Sequence, residues 1–150
     1  MPQSLASVYV HLVFSTKNRM PRITPDLRTR LYPYLAAIDL GRGTKVLDIG
    51  GVADHVHVLT AFGREVTIAD TVKALKGASS RWVNETFAAE LPFAWQNGYG
   101  AFSIGYPDLL ALKGYLAGQE EHHRLTEYQD EYRELLSHNG LVWDEKYVWD

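Results

Sequence analysis

The chain has 150 residues, enough for one domain with a self-sufficient core and too few for two. Apolar residues make up 46% and charged residues 22%, a folding composition well outside the disordered class. There is no cysteine, which excludes disulfides, thiolate metal sites, iron–sulfur clusters and cysteine nucleophiles, and the net charge of −3 by itself argues against a nucleic-acid partner.

The opening Met1-Pro2-Gln3-Ser4 carries neither a basic leader nor a long apolar stretch, so a soluble, cytoplasmic chain with no membrane segment is expected. Val8 to Phe14 is apolar throughout and rich in β-branched residues, which predicts a central strand covered on both faces. A basic loop, 15–19, follows it. Thr24 then precedes a proline at the first helical position and caps a predicted helix through Leu27, Leu31, Leu35 and Ile38, ended by Gly41 and Gly43. Residues 45–51 and 55–62 read as two strands joined by a short turn. Thr67 starts a long helix with Ile68, Val72, Leu75, Trp82 and Val83 as its apolar positions. An edge strand is expected around 101–104, a helix opened by Pro107-Asp108, and a further amphipathic helix over 127–136 before an aromatic tail. The order β-α-β-β-α-β-α suits an α+β fold: a ferredoxin-like, split-βαβ antiparallel sheet with helices mainly on one face.

Two features carry chemistry. His55 and His57 are two apart in a strand and therefore share a face, while Val56 and Val58 point the other way. The pair fits two readings: one divalent ion held by both imidazoles, or two histidines satisfied within a sheet face. Tyr115 and Gln119 are four apart in a predicted helix and so lie one turn apart on one side. The Gln119 carbonyl oxygen can act as a third metal ligand beside the Tyr115 hydroxyl. Equally, the tyrosine can pack beside Leu112 and Leu116 with the glutamine at the surface. Two nitrogens and one oxygen leave coordination positions open, as a catalytic ion such as Mg²⁺ or Mn²⁺ requires.

The runs Val10-His11-Leu12-Val13-Phe14-Ser15-Thr16-Lys17, Asp54-His55-Val56-His57-Val58-Leu59 and Leu75-Lys76-Gly77-Ala78-Ser79-Ser80-Arg81, followed by Tyr115 with Gln119, resemble the IS200-like, single-tyrosine HUH transposases of small bacterial insertion sequences. HUH denotes two histidines flanking a hydrophobic residue, here Val56. Glu131-Tyr132-Arg133-Glu134 and Tyr147-Val148-Trp149-Asp150 resemble the tail of one branch of that family. The resemblance implies one domain over 1–150, with 124–150 as a C-terminal helix and tail. It implies a homodimer that cleaves and rejoins single-stranded DNA at hairpin-marked element ends through a 5′-phosphotyrosine. The implied sites are composite, the two histidines of one subunit commonly working with the tyrosine helix of the other; whether Tyr115 acts in its own subunit or the other is left open. Tyr115 matches the nucleophile, and His55, His57 and Gln119 match the ligands of the divalent metal.

The acidic net charge is concentrated late: residues 1–90 hold 11 Lys and Arg against 8 Asp and Glu, residues 91–150 hold 4 against 10. The first part can therefore still present a basic surface, and Lys17, Arg19, Lys73, Lys76 and Arg81 are the candidate DNA contacts, or else ordinary solvated side chains. His123, four residues beyond Gln119, fits either the site or a helix C-terminal cation, the second being favoured. His11 is expected near the site without ligating. Gly114 and Gly118 suggest either a mobile tyrosine helix or close packing on it. Rival readings are a domesticated protein that nicks hairpin repeats, a catalytically silent nucleic-acid-binding dimer, and a small-molecule binder of the same fold.

Overall fold

Strand β1 (Tyr9–Ser15) lies inside a four-stranded antiparallel sheet in a computed structural model that describes residues 2–87, 89 and 91–150. Its neighbours are β3 (His55–Ala61) on one side and β4 (Gly100–Ile104) on the other, and β2 (Lys45–Val52) pairs with the outer edge of β3. The order β2-β3-β1-β4 makes both crossovers split βαβ units, because β3 sits between β1 and β2, and β1 between β3 and β4. This is the expected ferredoxin-like sheet.

Helices α1 (Pro25–Ala37) and α2 (Ile68–Thr86) cover one face. Thr24 and Thr67 cap them as predicted, accepting hydrogen bonds from the backbone N–H groups of Leu27 and Asp70. Val10, Leu12 and Phe14 of β1 and Val56 and Val58 of β3 meet Leu31, Leu35, Val72 and Leu75 in the main core. Each such side chain contributes about 1.5–3 kcal/mol by leaving water.

The helices of the crossovers lie on that one face, as expected; the other face is covered as well. There α3 (Leu109–Ala117) packs on Leu59 and α5 (Tyr128–His138) on Val13 and Phe102, while a short α4 (Gln119–His122) lies against β2. The physical reason is the apolar run of β1, which leaves two apolar faces to bury. The helix opened by Pro107 is broken once: the chain departs from helical geometry at Gly118, which separates α3 from α4. Two glycines set how closely this layer approaches. A Cβ on Gly50 of β2 would lie 2.3 Å from the Leu116 carbonyl oxygen, and one on Gly100 would lie 2.7 Å from the Tyr132 ring.

The tail, 141–150, folds back onto α5. Glu145 accepts hydrogen bonds from Nε and Nη2 of the Arg133 guanidinium and from the indole N–H groups of Trp143 and Trp149. The Asp150 carbonyl oxygen accepts from Gly98 N–H at 2.7 Å. No helix among the described residues is long and apolar enough to cross a membrane.

Candidate active site

Sheet pairing sets the first half of the site. His55 stands opposite Ser15 and His57 opposite Val13, so both imidazoles project from the sheet face under α3, α4 and α5. Both rings are wholly buried. His55 Nδ1 contacts Asp54 Oδ1 at 2.7 Å, and His57 Nδ1 contacts His11 Nε2 at 2.8 Å. Each contact occupies the nitrogen that faces away from the site and leaves Nε2 directed into it, the usual way a ligating histidine has its tautomer fixed. His11 is therefore beside the site and not in it. Burial, and then the neighbouring His57, push its pKa down to about 3, so it stays neutral and can accept a hydrogen bond from His57 Nδ1–H.

The second half comes from the covering helices. Leu112 and Leu116 pack on Leu59 and seat α3, which brings the Tyr115 ring to 5.7 Å from that of His57. Tyrosine and histidines thus meet within one chain. Gln119 is buried and places its carbonyl oxygen 3.3 Å from His55 Nε2. Glu131 of α5 is 2% exposed and lies at the centre of the cluster. Its carboxylate is 3.0 Å from His57 Nε2, 3.3 Å from His55 Nε2, 3.1 Å from His123 Nε2 and 3.2 Å from His122 Nε2. It also accepts the Tyr115 hydroxyl and the Gln119 amide.

These contacts fix the charges. Burial works to raise the Glu131 pKa, but His123, His55 and His57 outweigh it and hold the carboxyl well below its usual range. Burial disfavours the charged form of His55, yet its hydrogen bonds to Asp54 and Glu131 raise its pKa on balance; for His57, burial prevails and lowers it. Burial, then the Glu131 hydrogen bond, raise the Tyr115 pKa and keep the phenol neutral.

One donor atom from each of His55, His57, His123 and Glu131 lies within 4.8 Å of the others, so the residues present fit a divalent metal. The nitrogens support that fit. His122 Nε2 and His123 Nε2 are buried without an aligned hydrogen-bond partner, although both are close to Glu131 oxygens. His123 is the C-cap residue of α4, as favoured, and its ring also turns into the site, 4.5 Å from that of His55.

Glu131 was missing from the sequence-based site because it lies in the acidic C-terminal part of the chain. Its signal was its position on the apolar stripe of α5, with Tyr128, Tyr132 and Leu136 as the other buried members. A lone carboxylate on such a stripe needs a partner.

The five basic candidates do not converge. Arg19 borders a cleft of about 520 Å³ that reaches His123. Lys17 borders a separate, smaller one. Lys73 and Lys76 line a groove against α2, on the opposite side of the sheet, and Arg81 is exposed on the same helix. Lys76 donates to the carbonyl oxygens of Gln96, Asn97 and Gly98, so its ammonium is engaged in holding that loop.

Residues 4–119 match the model of the family described as Transposase IS200 like. The ISDra2 transposase TnpA of Deinococcus radiodurans is 35% identical over 71 residues, 47% of this chain and 51% of that relative, so the matched stretch spans about half of its length. The transposase for insertion sequence element IS200 of Salmonella typhimurium is 24% identical over 123 residues, 78% of this chain and 80% of the relative. Among solved structures, a protein of Deinococcus radiodurans R1, provisionally described as a transposase, superposes with a TM-score of 0.63 at 24% identity, over 79% of this chain and 98% of that one. A REP-associated tyrosine transposase bound to a REP hairpin superposes with a TM-score of 0.59 at 10% identity, over 96% and 89%. At these identities the two structural likenesses speak for the fold alone.

Proposed function

The chain belongs to the IS200-like transposase family, and from that premise we propose that it cleaves and rejoins single-stranded DNA at hairpin-marked element ends, with Tyr115 as the nucleophile. The observation that carries this reading is the Tyr115 hydroxyl, held by Glu131 beside the buried histidine pair of the same chain. The phenol oxygen attacks the scissile phosphorus, a 5′-phosphotyrosine forms, and the 3′ oxygen leaves as a hydroxyl. Strand transfer is the reverse reaction on a second end, which conserves the phosphodiester bond and requires no ATP.

The chain's own residues position and orient. His55 and His57 are the first ligands for a divalent ion, Mg²⁺ or Mn²⁺ by the resemblance, with Gln119, the amide of the family pattern, beside them. When bound there, such an ion supplies positive charge that polarises the scissile phosphate and steadies the departing 3′ oxygen. Asp54 and His11 fix the ring orientations, and Glu131 keeps the Tyr115 hydroxyl pointed into the site. A cleft of about 510 Å³ opens beside Tyr115 and gives the strand its approach. We assign Arg19, on the cleft that reaches His123, the phosphate contact nearest the chemistry, with Lys17, Lys73 and Arg81 as contacts farther out and Lys76 acting through the loop that it holds. The protein is read as cytoplasmic. One chain supplies the histidines and the tyrosine, so the homodimer serves DNA arrangement in this reading and does not complete the site; sedimentation with and without DNA tests it.

The testing experiment is covalent trapping. Protein is mixed with labelled single-stranded DNA from the gene's own flanks, with Mg²⁺, Mn²⁺ or EDTA, and run on a denaturing gel beside Tyr115→Phe. A shifted band that needs both metal and Tyr115 is expected. Good hairpin binding with no band under any condition would replace the reading by that of a silent binder.

A further inference from the structure

The two oxygens of Glu131 face different partners. Oε1 lies 3.0 Å from His57 Nε2, 3.1 Å from His123 Nε2 and 3.3 Å from His55 Nε2. Oε2 accepts the Tyr115 hydroxyl and, at 3.1 Å, the Gln119 amide N–H. Ligand atoms about 2.1 Å from one ion sit about 3.0 Å apart when adjacent on an octahedron and about 3.4 Å apart on a tetrahedron. The three distances around Oε1 fall in that interval, and the four donor atoms as a set lie within 4.8 Å of one another, so a small inward movement would close them on an ion. Gln119 braces that carboxylate with its amide N–H, and its carbonyl oxygen lies near one histidine, His55 Nε2 at 3.3 Å, where Oε1 lies near three.

Charge leads to the same place. Glu131 is buried, and the side chains within reach of it are imidazoles, an amide and a phenol. A buried carboxylate needs positive charge, which the imidazoles supply here and a bound ion can supply in their place. His123 Nε2, 3.1 Å from Oε1 without hydrogen-bond alignment, presents a lone pair to the same ion in the tautomer protonated at Nδ1.

The geometry points to a centre of three histidines and one carboxylate, His55, His57, His123 and Glu131, that takes a transition metal of the Co²⁺ or Zn²⁺ kind ahead of Mg²⁺, with Gln119 as a positioning residue. This rests on the metal-assisted reading above and deepens it. His123 and Glu131 both lie beyond residues 4–119, so two of the four ligands come from outside the family-matched stretch. Three imidazoles favour a nitrogen-preferring ion, whereas Mg²⁺ keeps oxygen ligands and water. With Oε1 on the ion, Oε2 remains on Tyr115, and a single carboxylate sets the distance between nucleophile and metal.

The test is metal binding by the whole, DNA-free protein. Calorimetry with Co²⁺ or Zn²⁺ should give one ion per chain, with Mg²⁺ at least a hundredfold weaker. Glu131→Gln, which keeps the side chain's size, should lose tenfold or more in affinity, and Gln119→Ala less than threefold. The wild-type protein gives a check that needs no variant: on adding Zn²⁺ to ¹⁵N-labelled protein, the Nε2 resonances of His55, His57 and His123 should all shift. If only His55 and His57 shift and Gln119→Ala loses the ion, the amide is the ligand and the proposal falls, while metal-assisted chemistry stands. If the wild type takes up no ion, the proposal and the metal-assisted reading fall together.

Discussion

His11 is a residue whose effect reaches the site only through another. It is buried, neutral and hydrogen-bonded to the far nitrogen of His57, so its removal leaves that ring free to choose its tautomer. His11→Leu should weaken metal binding roughly 10- to 100-fold while the protein stays folded, as calorimetry and circular dichroism together would reveal. Unchanged affinity would mean that the sheet alone orients His57. At this scale the sequence was legible in part. Strand alternation put His55 and His57 on one face, and the four-residue spacing put Tyr115 with Gln119. Glu131 was hidden because an acid in an acidic segment resembles solvated surface, and only its register with Tyr128, Tyr132 and Leu136 sets it apart. Lys76 shows the opposite failing. A lysine on an amphipathic helix looks available for phosphate, yet three backbone carbonyls already engage it.

Among the elements, α3 is placed by a missing side chain in its neighbour. Because Gly50 lets Leu116 sit directly on β2, Gly50→Ala forces helix and strand apart. Overpacking of this kind costs about 1–3 kcal/mol. The expected result is a lower melting temperature together with a loss of covalent adduct larger than the change in hairpin affinity, because Tyr115 moves with the helix. An equal fall in adduct and in binding would count against that placement. The tail is held differently, by a carboxylate that serves one guanidinium and two indoles. The Arg133 hydrogen bond, then those of the indoles, hold the Glu145 pKa down to about 2. A depressed carboxyl stabilises the docked tail fully above its unfolded value, near 4.5, and that contribution fades as pH falls from there toward 2. Tryptophan fluorescence should therefore separate wild type from Glu145→Gln at neutral pH, and the difference should close across that acidic window. A constant difference would mean that the clamp does not depend on the charge. Strands and long helices were readable from apolar pattern and caps; the break between α3 and α4 was not. Gly118 inside a helical pattern signals only lowered propensity, and the break depends on how α3 meets the sheet.

For the molecule as a whole, the split-βαβ order followed from the succession of elements, but the second covering layer did not. Short helices of mixed polarity declare their role only when a sheet face needs them. With an ion bound as proposed, that layer would make metal and fold interdependent. Adding EDTA to protein purified with its metal should lower the melting temperature, since at a hundredfold excess of ion over its dissociation constant the bound state gains about 2.7 kcal/mol. For a domain of this size that corresponds to roughly 5–10 °C. A melting temperature indifferent to chelator would mean that the ion contributes nothing to the fold. His57 and Glu131 are 74 positions apart in sequence and meet in space. In a chain without cysteine, an ion bound to both is a covalent-like cross-link that closes a long loop and removes chain entropy from the unfolded state, as a disulfide does elsewhere. Unlike a disulfide, such a link would be undone by scarcity and not by reduction: with the ion withdrawn, α5 would keep its apolar packing and the direct contacts of Glu131 with His57 and Tyr115, and lose only the cross-link.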